Sequence, residues 1–384
     1  MHYLHVATAT LILFTISLIL GRQKQLSDLI LICWLVVFFS NVATFFVLEL
    51  YPKPLYSWQG ILLDFSDASI FLHGPLLWLY TCALTRPGFR LQRRYAVHFV
   101  PFLFFFLLML SGQLYNERTT YFTVKLASMA KLLSVLVYIL SVITLLLRYR
   151  RHVEDIFSNA EKKYLDWLWL LSLGILALWV IGFVTTVMGW FENILQPVVD
   201  GPLLKISTDI FVIMMSYFGF RQNAVFESQN QAPALEELTS LEEMPHEISE
   251  INKQGSPKYV KSGLSAERSK EIHTSLLEMM ESAKPYIDEN LTLFSLAAIM
   301  KVPPNHLSQV INMYEHRNFF DFTNYYRVEE IKKIIHLDKF KNFSLLGIGF
   351  ECGFNSKAAF NRAFKKFTGQ TPSEFKKNSD QEVN

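Results

Sequence analysis

Seven apolar runs crowd the first 220 residues, at 4–20, 29–50, 61–84, 96–110, 122–147, 165–189 and 202–220. Crossing a hydrocarbon core takes about 20 apolar residues in a helix. Runs of this length restrict the first half of the chain to a bundle of membrane-spanning helices. The composition agrees: 51% of the 384 residues are hydrophobic and only 18% are charged, too apolar for a uniformly water-exposed protein. The first run has no cationic start and no small-residue cleavage site before Gly21, so it does not read as a signal peptide.

Loop charge orients the bundle. Connections after the first, third and fifth runs carry Arg22 and Lys24; Arg86, Arg90, Arg93 and Arg94; then Arg148, Arg150, Arg151, Lys162 and Lys163. The alternate connections carry only Lys53, Arg118, Lys125 and Lys205. Cations gather on the cytoplasmic side. The bias predicts an inner-membrane protein with its N-terminus outside and its C-terminus in the cytoplasm, which requires an odd number of spans.

Charged residues inside spans are costly, about 2.5–3.5 kcal/mol each even on lenient scales. Glu49, Asp64, Asp67, Lys131 and Asp209 all fall toward the outer ends of their runs. Two readings stay open: structural ion pairs facing the bundle interior, or a ligand pocket open to the outside. His73, followed by Gly74 and Pro75, reads as a satisfied interior histidine beside a kink.

After Phe220 the character changes. Residues 222–257 are acidic, contain Pro233 and Pro245 and lack sustained periodicity, as expected of a solvated tether. From Lys332 to Lys377 ten cations face three carboxylates. A basic module of this kind suits a polyanion such as DNA. The three domains expected are thus 1–221 (membrane), 222–257 (linker) and 258–384 (basic module). Cys33, Cys82 and Cys352 have neither metal nor disulfide spacing. No cofactor, metal or catalytic motif is expected.

The basic module reads as helices throughout. Ser265 caps a helix expected over 266–287, with Ile272, Leu276, Leu277, Met280 and Ala283 on one side. Leu296, Ala297, Ile299 and Met300 begin a helix-turn-helix whose second helix buries Leu307, Val310 and Ile311. Asn305, His306, Gln309 and Asn312 are left outward. A long helix over 319–335 leads to a second unit. There Leu345, Leu346, Ile348 and Phe350 form a short helix, Gly353 the turn, and Asn355 or Ser356 the next cap. The final helix buries Phe360, Ala363, Phe364 and Phe367 and turns Lys357, Asn361, Arg362, Lys365 and Lys366 outward. The fold class is therefore all-α, about seven spans followed by two helix-turn-helix units on one connecting helix.

The run GFNSKAAFNRAFKKFTGQTPSEF from Gly353 resembles the C-terminal signature of the AraC/XylS transcription regulators. LSQVIN from Leu307, followed by NFFDFTNYYRVEE from Asn318, resembles the same family's first unit and connecting helix. The resemblance covers about the last third of the chain. It implies base contacts from Asn355, Lys357, Asn361 and Arg362 in the second unit, and from Asn305, His306 and Gln309 in the first. Lys365 and Lys366 would meet phosphate. Two positions depart from the family pattern: Pro303 replaces a hydroxyl cap, and Gly349 replaces alanine.

The reading that joins both halves is a non-enzymatic, membrane-bound one-component regulator. Its partners would be double-stranded DNA, the lipid bilayer, a small-molecule or envelope signal, and a second copy of itself. A transporter or channel with a regulatory DNA-binding tail is the alternative. An intramembrane hydrolase using Asp64 or Asp67 with Asp209 lacks any recognisable motif.

Overall fold

The computed structural model describes residues 2–21, 25–51, 57–86, 88–112, 117–159, 165–190, 202–227, 264–340 and 342–382. Among these, the regular structure is helical, with one isolated antiparallel bridge between Phe157 and Thr292. The expected linker after Glu227, up to residue 257, and the side chains of Lys125 and Lys205 lie outside the described residues; residues 222–227 instead close the helix Pro202–Glu227. The chain divides into two compact units, each discontinuous in sequence: Met1–Leu147 with Leu165–Ser249, and Arg148–Tyr164 with Glu250–Asn384. Residues 148–164, which the sequence groups with the apolar half, thus belong to the second unit.

The first unit contains α1 (His2–Leu20), α2 (Leu26–Leu50), α3 (Ser57–Thr85), α4 (Val100–Gly112), most of α5 (Glu117–Ile156), α6 (Asp166–Trp190) and α7 (Pro202–Glu227). A turn of 3-10 helix, Arg93–Phe99, leads into α4. Among the described residues, six helices are long and apolar enough to cross a membrane. The seventh expected run differs: within α7 the apolar stretch is the shorter Ile206–Gly219. Lys205 and Arg221 bracket that stretch and Asp209 lies inside it.

Helix α2 packs against α1, α3 and α7, α3 against α4, and α6 against α7. Trp34 of α2 is fully buried and donates its indole N–H to His73 Nδ1 at 3.0 Å. Phe38 stacks on the His73 ring at 4.4 Å. His73 is thus a satisfied interior histidine, as its place before Pro75 suggests. Gly74 lets α3 approach α5, since a Cβ there would stand 2.6 Å from the Tyr138 ring.

The second unit holds α8 (Ala266–Ser282), α9 (Leu293–Met300), α10 (Pro304–Val310), α11 (Phe319–Ile334), α12 (Leu345–Glu351), α13 (Lys357–Thr368) and α14 (Pro372–Glu382). Ser265 caps α8 by accepting from the Arg268 N–H. The helix ends at Ser282, short of the expected 287, because Lys284 turns left-handed at φ 49° and Pro285–Ile287 forms a separate 3-10 turn. Ile272, Leu276, Met280, Leu296, Leu307, Val310 and Ile311 build one apolar cluster with Phe319 and Phe322 from the start of α11. Val328 and Ile331, farther along α11, join Ile348, Phe360, Ala363 and Phe364 in a second. Fully burying side chains of this size contributes about 1.5–3 kcal/mol each. Helix α11 is therefore shared, its first half in one core and its second half in the other.

A polar layer sits on α11 between the two cores. Asn324, Arg327 and Glu330 are all buried there. Lys284 Nζ reaches Glu330 Oε1 at 2.6 Å, and the Tyr286 hydroxyl donates to Oε2 at 3.2 Å. Desolvation, aided by the Glu330 charge, pushes the Tyr286 phenol well above its usual range. Burial, with Glu330 and Glu351 adding, pushes the Cys352 thiol beside this layer up to about 12.

Candidate nucleic-acid interface

Each helix of the second unit starts on a side-chain cap. Thr292 accepts from Ser295 N at 3.0 Å before α9. Asn318 accepts from Asp321 N at 2.8 Å before α11. Ser344 accepts from Gly347 N at 3.0 Å before α12. Ser356, of the two residues expected there, is the cap of α13, accepting from Ala359 N at 3.0 Å. Such caps are worth about 1 kcal/mol apiece. The exception is α10, whose N-cap Pro303 makes no side-chain bond while Pro304 fills the first helical position.

Helix α13 presents the candidate face most plainly. Ala359, Phe360, Ala363 and Phe364 face the core, while Lys357, Asn361, Arg362, Lys365 and Lys366 are exposed. Phe367 is only half-buried. Residues 357, 361 and 365 follow one helical stripe, and 362 and 366 run beside it. The helix closes on Gly369 at φ 77°. Lys366 is already engaged, its Nζ lying 2.6 and 2.7 Å from the two Asp321 carboxylate oxygens on α11. Asn355, just before the cap, is half-buried, and its Oδ1 is buried without a hydrogen-bond partner among the described residues.

The first helix-turn-helix offers less. Asn305 is exposed and His306 half-buried. Gln309, expected outward, is buried. Asn312 is half-buried and donates to its own chain at Ser308 O, 3.0 Å away. The reason lies in the length of α10. It has seven residues, packs against α8 and α9, and passes directly into a π turn over Ile311–Glu315. A short helix held from two sides and then unwound keeps only a narrow free face.

Two expectations about α12 also change. Phe350, placed in the apolar stripe, is 48% exposed, whereas Gly349 is buried. A Cβ on Gly349 would stand 3.0 Å from the Phe360 ring, tighter than ordinary contact. Glycine at this position lets Phe360 seat itself against α12.

In the first unit the charged residues divide between two sets of helices. Lys131 of α5 pairs with Asp67 of α3 at 2.5 Å. Asp209 of α7 meets His5 Nδ1 of α1 at 2.9 Å, with Glu49 of α2 at 3.8 Å from His5 Nε2. Asp64 is half-buried on α3. Thr8, one turn from His5, is also buried. His5 escaped the sequence reading because a lone histidine near an N-terminus carries no pattern of its own.

Arg327 and Arg317 were missed as well. Arg317 lies over the Tyr325 ring, 4.0 Å from its centre. Arg327 is fully buried. Its spacing from Phe319, Phe322 and Ile331 places it at a core position of α11, and that was the available signal.

Residues 296–378 match the family model of a helix-turn-helix domain. Over 117 residues the chain is 27% identical to the HTH-type transcriptional regulator GlxA of Rhizobium meliloti (strain 1021), covering 30% of this chain and 35% of that protein. Over 103 residues it is 29% identical to the uncharacterized HTH-type transcriptional regulator YijO of Escherichia coli (strain K12), covering 26% and 35%. The chain thus spans about a third of the length of either relative. No solved structure matches it significantly. These similarities support DNA binding and transcription regulation by the C-terminal domain.

Proposed function

We propose that this chain is a membrane-bound, one-component transcription regulator of the AraC type. The bundle of α1–α7 is seated in the inner membrane with its N-terminus outside, and the helix-turn-helix domain lies in the cytoplasm. The observation that carries the DNA-binding part is the exposed face of α13, where Lys357, Asn361, Arg362 and Lys365 stand side by side over a well-packed core. Arginine pairs bidentately with guanine edges and asparagine with adenine edges, while lysine meets phosphate. Asn305 and His306 of α10 give a smaller second contact, and two such domains would gain effective concentration on paired sites.

The membrane part rests on length and apolarity of the helices and on the cation bias of the loops. The Asp67–Lys131 and His5–Asp209 pairs favour a structural use of the bundle charges. Mapping DNA bound by the chain in living cells tests the regulator reading. Discrete, reproducible sites are expected; random occupancy overturns it. Uptake into vesicles carrying the purified chain tests the transporter alternative, and no uptake is expected.

A further inference from the structure

Residues 153–159 form the docked end of α5 and the turn that follows, and they are built into the helix-turn-helix unit. Val153, Ile156 and Phe157 are buried. Phe157 makes the lone bridge to Thr292, and the next residue, Ser158, donates its backbone N–H to Leu291 O at 3.2 Å. Ser158 Oγ also donates to Leu291 O, at 2.7 Å. Both amide hydrogens of Asn159 are used, one on Glu289 O at 2.6 Å and one on Gly353 O at 3.0 Å. Glu289 and Leu291 enter the first helix-turn-helix, and Gly353 is the turn of the second. A single asparagine therefore pins the two halves together.

Arg327 closes the arrangement. Its Nε donates to Tyr286 O at 2.7 Å, and Nη2 donates to Asp288 O at 2.9 Å. Its remaining bonds go to Asn324 Oδ1 and, three of them, to Ser158 O, Asn159 Oδ1 and Ser158 Oγ, at 3.1, 3.2 and 3.0 Å. Every acceptor is a neutral oxygen. Burial pulls the guanidinium down to about 9, against the opposing pull of Asp288, Cys352 and Glu289, so it is still charged at neutral pH. Removing one partner of a buried charge is strongly destabilising, because the charge is left uncompensated. Half of the Arg327 bonds would vanish if residues 158–159 withdrew.

We propose that residues 153–159 are a clasp within the DNA-binding unit: seated between the two helix-turn-helix halves, they fix the relative placement of α10 and α13 and so hold the domain in its DNA-competent form. This inference rests on the DNA-binding reading above for its consequence, though not for its geometry.

The test uses the full chain in lipid nanodiscs, with Ser158→Ala as the mild variant and Ser158→Ala/Asn159→Ala as the strong one. One readout is amide hydrogen exchange at residues 286–292. The other is affinity for a duplex selected from a random library by the wild-type chain. The strong variant is expected to speed exchange at 286–292, retain protection in α13, and lose about tenfold or more in affinity, within the usual range of coupling between sites. The mild variant falls between. Unchanged exchange in both variants means that the segment is not seated there, and the proposal fails. Faster exchange with unchanged or higher affinity means that docking does not serve DNA binding, and the clasp role fails. A wild-type chain that selects no duplex, yet exchanges as expected, overturns the clasp's function together with the regulator reading but leaves the docking established.

Discussion

The Cβ that Gly353 lacks would stand 2.3 Å from the carbonyl oxygen of Tyr286, closer than any side-chain atom can approach. Ile287 O and Arg327 Nε would lie at 2.8 and 2.9 Å. Glycine is needed twice over here, for φ 90° and for this contact. Gly353→Ala should destabilise the second unit by about 2–4 kcal/mol, combining left-handed strain with overpacking. Gly369→Ala is the control: its φ is 77°, but nothing among the described residues lies within 4 Å of an added Cβ, so only the strain of about 1–2 kcal/mol is expected. Denaturant midpoints followed by exchange of the α13 amides would compare them. Equal losses would mean that the Tyr286 contact is unimportant.

Arg362→Ala should lower specific DNA affinity by about 1–3 kcal/mol and relax preference at one base pair. The motive is its exposed place on α13. Titrations against the selected duplex and its single-base variants read this directly. An equal loss on every sequence would make Arg362 a phosphate contact.

The Lys366–Asp321 pair is largely exposed at the lysine end, so its own stability is worth at most about 1 kcal/mol. Its effect should show on DNA instead. Lys366→Ala should lower the salt slope of binding by about 1. Asp321→Ala, by removing a competing carboxylate, should strengthen binding and leave the slope intact. If Lys366→Ala leaves the slope unchanged, Lys366 stays with Asp321 in the complex.

Reporter fusions after Arg86 and after Arg118 should label opposite faces of the membrane, with Arg86 inside. The motive is the excess of cations in alternate loops. Labelling of both on one side would rule out the proposed arrangement of spans.

A flexible Gly-Ser insertion near Pro233 should leave DNA occupancy in cells unchanged, since an acidic tether transmits torque poorly. Loss of occupancy with intact expression would make the linker a rigid transmission element.

Much of the second unit is legible because its helices obey local rules. The burial of Phe360, Ala363 and Phe364 and the exposure of Lys357, Asn361 and Arg362 follow from helical period alone. Gln309 defeats the same rule because α10 is short and is held against both α8 and α9, which leaves it only a narrow free face. Phe350, expected in the apolar stripe, turns outward, while Gly349 packs against Phe360, a contact that the helical period does not announce. The Asn159–Gly353 bond joins residues 194 apart, and no local pattern could announce it. His5 and Asp209 meet from opposite ends of the apolar half for the same reason.

The three oxygens that Ser158 and Asn159 give to Arg327 bear on how this domain can be inherited or borrowed. A gene fragment cut where the match to the helix-turn-helix domain starts, at residue 296, would encode both α10 and α13 and omit part of their interior. Grafted onto another protein, that fragment would carry a buried cation missing half its acceptors. The smallest portable unit is therefore two stretches of chain, and a swap that succeeds must bring the end of α5 along with the C-terminal domain.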